Sequence, residues 1–247
     1  MSLKEAEIHH LLYEDEEGEV IGLDEVQLLD PAPLERIPFL LRLMSSDDIY
    51  LIFQSAIILA AWGNEQGLAK VEELIDIQVH KIYEISPHRI ENYDNVYDDL
   101  AYAVHLYGLT GKDFFAQQRI FKKLLNIYGY CHFQSLLKLS LLKSECPEII
   151  QDVQAAIERS LKNGYEYLAS QLLPVLAKWQ PEIAWLYVEK FMSFPKQTPD
   201  PIANVAEALK YIHTNESLTI LKQLRKHDDY AVSEEATKSL SSFSKIS

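Results

Sequence analysis

The chain has few of the residues that cross-link or interrupt a fold. Its two cysteines, Cys131 and Cys146, form no CxxC motif, so we expect buried free thiols in a reducing compartment. Only 8 glycines and 10 prolines argue against long disordered stretches. No apolar run is long enough to span a bilayer, and the N-terminus lacks the pattern of a secretory signal. These absences predict a cytoplasmic protein without a membrane segment.

The sequence also lacks the short motifs of common catalytic sites. It contains no HExxH, no GxSxG and no glycine-rich phosphate-binding loop. His9 and His10 adjoin an acidic run, which favours a solvated helix over a metal site, and His105 has apolar neighbours typical of a core histidine. We therefore expect no enzymatic activity, no metal and no other cofactor.

Basic residues are scarce and unevenly placed. The chain has 23 Lys and Arg against 37 Asp and Glu, a net charge of −14. Residues 1–48 hold thirteen acids and three bases, whereas residues 112–143 carry a net charge of +5. An acidic chain repels nucleic-acid phosphate. The expected partner is therefore a protein with a basic patch, bound by a chain that we expect to be a monomer.

One pattern occurs near both ends of the chain, 181 residues apart. Leucine-rich segments at 35–46 and 216–227 are each followed by a double-Asp turn and a second apolar run. A further match, at an offset of 150 residues, relates 56–74 to 206–224. Apolar residues three or four apart predict helices, and a recurring helix–turn–helix unit is typical of repeat proteins. We interpret the double-Asp turns as helix caps.

Helical spacing continues through most of the chain. After a first helix ending near Tyr13 and an acidic turn at 14–22, no strand-like alternation follows residue 30. The predicted class is all-α. The helices are expected at 34–44, 49–62, 66–85, 93–111, 113–128, 131–143, 147–162, 165–179, 181–193, 200–213, 215–226 and 230–243.

The segments 34–76 and 199–243 resemble the HEAT-like repeat family, including its short bacterial variants. The resemblance lies in the Leu-rich helix, the Asp-rich turn and the Ala-containing helix, best seen at 217–240. It departs from the family at Ser233, where an arginine commonly follows the valine. The resemblance implies a right-handed alpha-alpha superhelix of about five to six helix pairs. It also implies a single solenoid over 34–247, preceded by an acidic segment at 1–33.

Some HEAT-like proteins are enzymes, and the residues that each enzyme class requires can be compared with those of this sequence. The hydroxylases carry His-Glu dipeptides, but none of the eight histidines here precedes a glutamate. The DNA glycosylases use a basic groove, which the acidic composition disfavours. A lyase-type or other cofactor-handling enzyme stays open as an alternative, because the sequence neither identifies nor excludes a ligand pocket.

Residues 91–99 combine acids with tyrosines. Acids in the first turn of a helix are favoured by its dipole, which accounts for some of them. The alternative is a recognition patch, in which tyrosines supply rigid area and acids select a basic partner. Its members would be Glu91, Tyr93, Asp94, Tyr97, Asp98 and Asp99.

A second candidate surface is basic. Its cations are interleaved with aromatic residues, a pattern that favours a helix with a solvated basic face on one side and an apolar face on the other. Nucleic-acid binding and contact with the acidic N-terminal segment are the alternatives. The residues are Lys112, Arg119, Lys122 and Lys123.

Together these features predict a non-enzymatic protein-binding scaffold. An acidic solenoid of this size would suit a bacterial immunity-type protein that occludes a basic toxin, since carboxylates can mimic phosphate.

Overall fold

The computed structural model describes residues 3–85 and 95–243. All regular elements in these ranges are helices, and only isolated bridges, Glu14–Val20 and Tyr128–Cys131, pair extended backbone. The predicted all-α class is confirmed. No helix in the described part of the chain is both long and apolar enough to cross a membrane. The helices group into two compact units, which divide between Leu124 and Leu125.

Unit 1 is built around a helix that is buried along most of its length. This helix, α4, packs against α3, α5 and α6, and its residues from Phe53 to Ala61 are all buried. The helices of this unit are α1 (Glu5–Tyr13), α2 (Leu23–Val26), α3 (Ile37–Leu43), α4 (Ile49–Ala61), α5 (Glu65–Asp76), α6 (Val96–Leu109) and the first part of α7 (Phe114–Ile127).

The acidic N-terminal segment contributes to the core of unit 1. Leu11, Leu12 and Val26 belong to the same buried cluster as Leu40 and Ile58. Burial of large aliphatic side chains contributes about 1.5–3 kcal/mol each. The helix predicted to end near Tyr13 does end there.

Unit 2 has α11 at its centre. This helix contacts α8, α9, α12 and α13, while α13 also packs against α14 and α15. The complete helices of the unit are α8 (Leu136–Lys143), α9 (Ile150–Lys162), α10 (Glu166–Gln171), α11 (Leu173–Trp179), α12 (Pro181–Met192), α13 (Ile202–Leu209), α14 (Asn215–Leu224) and α15 (Tyr230–Phe243).

The two double-Asp turns are helix caps, as predicted. Asp48 accepts hydrogen bonds from the backbone N–H groups of the second and third residues after it, at 2.8 and 3.4 Å. Asp229 does the same at 2.9 and 3.2 Å. The match at an offset of 150 residues extends to the helix caps as well. The Asn64 side chain accepts a hydrogen bond from the N–H of Gly67, and the Thr214 side chain accepts one from the N–H of Ser217.

Four predicted helices are clearly shorter or interrupted, and one of them, expected over 200–213, extends only from Ile202 to Leu209. The run expected over 66–85 ends at Asp76, and Gln78 then adopts a left-handed backbone with φ of 51°. The run over 165–179 breaks at Leu172, because Pro174 has no N–H to donate to the preceding turn. The run over 131–143 begins only at Leu136.

Candidate protein-binding surface

Of the predicted patch at 91–99, the structure describes Tyr97, Asp98 and Asp99. Tyr97 and Asp98 are fully buried at the start of α6, and Asp99 is half-buried. The Tyr97 hydroxyl lies 2.6 Å from Nδ1 of His80. Glu91, Tyr93 and Asp94 lie outside the described residues. In this conformation, therefore, neither Tyr97 nor Asp98 is available at the surface.

The basic face is largely paired with acids of α5. Arg119 donates two hydrogen bonds to Glu72, at 2.9 and 2.8 Å, and Lys123 lies 2.6 Å from Asp76 and 2.9 Å from Glu72. The hydrogen bonds from Arg119 lower the pKa of Glu72 to about 2, against its burial. These ion pairs neutralise much of the cationic charge that nucleic-acid binding would need.

Lys112 and Lys122, the other two residues of the basic face, have different surroundings. Lys112 donates a 2.7 Å hydrogen bond to the backbone oxygen of Gly63, which ties the start of α7 to the end of α4. Lys122 is exposed. Arg119 and Lys123 form their ion pairs with acids of α5 and not with the acidic N-terminal segment, which was the predicted alternative.

A buried arginine fixes the acidic turn that follows α1. Arg36 is only 4% exposed and donates to the backbone oxygens of His10, Glu14 and Asp15, at 3.2, 2.7 and 2.7 Å. The Asp15 carboxylate in turn accepts the N–H groups of Glu17 and Glu19, both at 2.9 Å. The backbone of the turn is therefore fixed by two side chains: the buried Arg36, which donates to its oxygens, and Asp15, which accepts from its N–H groups.

His9 and His10 both contact one carboxylate. Each Nδ1 lies 2.8 Å from an oxygen of Glu14. The hydrogen bonds from His10 and His9, in that order, lower the pKa of Glu14. No group of three or more His, Cys, Asp or Glu side chains among residues 3–85 and 95–243 has a geometry that could hold a metal ion.

Next to the acidic turn, tyrosines and acids from four elements of unit 1 form a surface that was not predicted. Tyr13, at the end of α1, accepts a hydrogen bond from the Nε2 of Gln54 on α4. Burial raises the pKa of Tyr50, one turn earlier on α4, to about 12, and the nearby Tyr13 and Asp99 act in the same direction. Tyr102 stands one turn after Asp99 on α6.

Two exposed acids of α2 extend this surface. Burial raises the pKa of Tyr102, and the negative charges of Asp24 and Glu25 add to the effect. Within the described residues, neither Asp24 nor Glu25 makes an ion pair. We name this set the tyrosine–acid surface; it comprises Tyr13, Asp24, Glu25, Tyr50, Gln54, Asp99 and Tyr102.

The tyrosine–acid surface has the chemistry of a cation-binding face. Its tyrosines offer electron-rich rings to a cation, and burial raises the pKa of the Tyr50 and Tyr102 hydroxyls. The neighbouring carboxylates supply the negative charge. Sequence spacing could not reveal this set, because its members come from segments separated by up to about ninety residues.

Unit 2 contains a half-buried ionic network that the sequence analysis also missed. Glu207 on α13 lies 2.8 Å from Lys138 and 3.2 Å from Lys210. Burial raises the pKa of Glu207, but the two lysines outweigh it and leave the pKa below its usual value. Burial, followed by the charge of Glu207, raises the pKa of Glu235. Glu207 is thus paired with two lysines inside the unit, which is typical of a structural role.

The two cysteines differ in burial. Cys146 is buried as predicted, and this burial, with the charge of Glu148, raises the pKa of its thiol to about 11. A thiol with so high a pKa is almost entirely protonated at neutral pH and is a poor nucleophile. Cys131 is only half-buried, and in the described residues neither cysteine forms a disulfide. His105 is buried, in agreement with the core position predicted for it.

Comparison with known proteins returned no matching family model, no matching curated protein and no matching solved structure.

Proposed function

We propose that the chain is a non-enzymatic protein-binding module that docks onto a basic protein through the tyrosine–acid surface. The observation that carries the proposal is the contrast within unit 1 between paired cations and unpaired acids. Arg119 and Lys123 are held by acids of α5, whereas Asp24 and Glu25 are exposed beside Tyr102 with no ion pair in the described residues. The surface thus offers negative charge to a partner.

The physical basis of binding would be a division of roles. Exposed carboxylates attract a positively charged partner over a distance and accelerate the encounter. Tyrosines contribute contact area at a low entropic cost, because they have few rotatable bonds. Arg36 fixes the adjoining acidic turn, so little order would have to be acquired on binding.

The same proposal includes a HEAT-like arrangement of the helices. Its support is the equivalence of caps and buried positions between distant helix pairs: Asp48 corresponds to Asp229, and Leu40 to Leu221, both fully buried. A partner covered by such a scaffold would be blocked by occlusion, as in a cytoplasmic immunity-type protein that masks a basic toxin.

A charge-reversal comparison tests the proposal. The full chain, the Asp24→Lys/Glu25→Lys variant and the Glu16→Lys/Glu17→Lys variant are each used to capture proteins from the native cell, with quantitative mass spectrometry. Both variants change the net charge equally, and all four residues are exposed. We expect a basic protein that is enriched by the wild type and the second variant but lost with the first. Equal enrichment by all three, or none by the wild type, contradicts the proposal.

A further inference from the structure

Gln54 lies beneath the tyrosine–acid surface with part of its amide unsatisfied. The residue has no solvent exposure, and its Oε1 has no hydrogen-bond partner among the residues that the structure describes. Its Nε2 donates to the Tyr13 hydroxyl, so the amide is held against one of the rings of the surface. A buried acceptor without a donor costs about 1–3 kcal/mol. Buried polar groups are rarely left without a hydrogen-bond partner in native proteins.

The surroundings of this oxygen favour a cation as the missing donor. Gln54 and Tyr50 share one face of α4, one turn apart, and the charge of Asp99 acts on Tyr50. Two aromatic rings and a neutral oxygen acceptor thus lie together on α4 and α1, and α6, which carries the Asp99 carboxylate, packs against α4. A planar guanidinium suits this combination better than an ammonium group. It stacks on aromatic rings, is more weakly hydrated and has several N–H groups in a fixed fork.

We infer that the tyrosine–acid surface seats an arginine side chain of the partner, whose guanidinium stacks on Tyr50 or Tyr102 and donates to the Gln54 oxygen. This inference rests on the proposed function and names the chemical group that the surface recognises. The oxygen is not exposed in the free chain, so a side chain must move on binding. The half-buried Tyr13, which contacts the amide, is placed to do so.

A titration of the full chain with N-acetyl-arginine amide tests the inference by NMR. The reporter is the side-chain NH₂ signal of Gln54, assigned by its absence in Gln54→Met. We expect this signal to shift in a saturable manner as the arginine derivative is added. The affinity for N-acetyl-lysine amide, measured in the same way, should be at least about threefold lower. Absence of a shift at saturating arginine derivative, or tighter binding of the lysine derivative, overturns the inference.

Two variants test whether the Gln54 oxygen, and not the negative charge of the surface alone, contributes to the affinity for the arginine derivative. Gln54→Met keeps the side-chain length and removes the acceptor, so the affinity measured from the backbone signal of Tyr50 should fall about tenfold. Gln66→Met, on an exposed glutamine of the same unit, should leave it unchanged. Unchanged affinity in Gln54→Met contradicts the inference. If Gln54→Met does not fold, Tyr102→Leu replaces it, with the same expected loss and the same contradicting outcome.

The two proposals can fail separately. If partner capture depends on Asp24 and Glu25 while the arginine derivative leaves Gln54 unaffected, the surface binds a partner without an arginine site, and only the inference of this subsection is wrong. If capture does not depend on these two acids, the proposed function is wrong, whatever the arginine titration shows.

Discussion

Asp48 and Asp229 perform the same task in two units of the chain. Each carboxylate accepts the backbone N–H groups two and three residues ahead of it and so begins a helix of thirteen or fourteen residues, α4 or α15. The residue before each, Asp47 or Asp228, has no such bond in the described residues. In each double-Asp turn, therefore, the second aspartate caps the helix.

Removal of either cap should destabilise the protein measurably. Asp48→Ala and Asp229→Ala should each lower the free energy of unfolding by about 1 kcal/mol, because two N–H groups at a helix start lose their acceptor. Urea unfolding followed by circular dichroism measures the change. Asp47→Ala is the matched control and should change the free energy by less than about 0.5 kcal/mol. An equal effect at Asp47 and Asp48 would show that the caps do not stabilise the helices.

Much of the helical framework could be predicted, because its signals are local. Helix α15 has the predicted bounds, since both the capping Asp229 and the apolar spacing lie in one segment. The shorter end of α5 could not be seen, because the apolar residues continue through Val79 and Ile82 although the chain turns at Gln78. Local pattern shows that a segment can be helical, whereas tertiary packing decides where the helix stops.

The surface was much less predictable than the fold. Residues 91–99 were expected to form a patch, but the helix that begins at Val96 is buried on almost all sides, including Tyr97 and Asp98. A helix that is buried on almost all sides gives little periodic signal that separates inside from outside. The partners of Arg119 lie 47 residues away, a distance that composition and spacing cannot bridge.

The ion pair between Glu72 and Arg119 predicts a pH dependence. The pKa of Glu72 in the folded chain is about 2, below its ordinary value of 4.5. Its contribution to stability is therefore complete above about pH 4.5 and is lost as the pH falls toward 2. Because the site is partly exposed, we expect Glu72→Gln to cost only about 1 kcal/mol at pH 7.

This difference in the free energy of unfolding between wild type and Glu72→Gln should shrink between pH 4.5 and the acid limit of folding. Glu73→Gln is the control, because Glu73 is more exposed and, among the described residues, pairs only with Lys70 on the same helix. A constant difference from pH 7 to pH 3 would argue against the ion pair as its source.

Arg36 should be one of the most sensitive positions in unit 1. Arg36→Met would leave three backbone oxygens without their donor, at His10, Glu14 and Asp15. Charged hydrogen bonds are the stronger kind, so we expect a loss of about 3 kcal/mol in the free energy of unfolding. Arg42→Met, which changes an exposed arginine on α3, should cost less than about 1 kcal/mol. Similar losses for both variants would show that Arg36 does not hold the acidic turn.

The ionic network of unit 2 should show strong coupling. Glu207→Leu leaves Lys138 and Lys210 half-buried without their carboxylate and should cost about 3 kcal/mol. In the double variant Lys138→Met/Glu207→Leu the total loss should be smaller than the sum of the single losses, by at least about 1 kcal/mol. Urea unfolding of the four proteins in the cycle measures the coupling. Additive losses would mean that the pair contributes nothing specific.

The two thiols should differ in reactivity. Iodoacetamide should modify the half-buried Cys131 at least about tenfold faster than Cys146, whose pKa is raised to about 11. Peptide mass spectrometry of the native chain at pH 8 measures both rates, and the urea-unfolded chain, in which the rates should converge, is the control. Faster modification of Cys146 in the native chain would contradict its burial.

The central claim, that the tyrosine–acid surface guides a basic partner, is tested most directly by association rates. The captured partner is mixed with wild type, Asp24→Lys/Glu25→Lys or Glu16→Lys/Glu17→Lys at low and high salt. We predict that the first variant associates about tenfold more slowly at low salt, with much of the difference lost at high salt, while the second stays within about twofold of wild type. Equal slowing by both variants would show that the net charge, not this surface, directs the encounter.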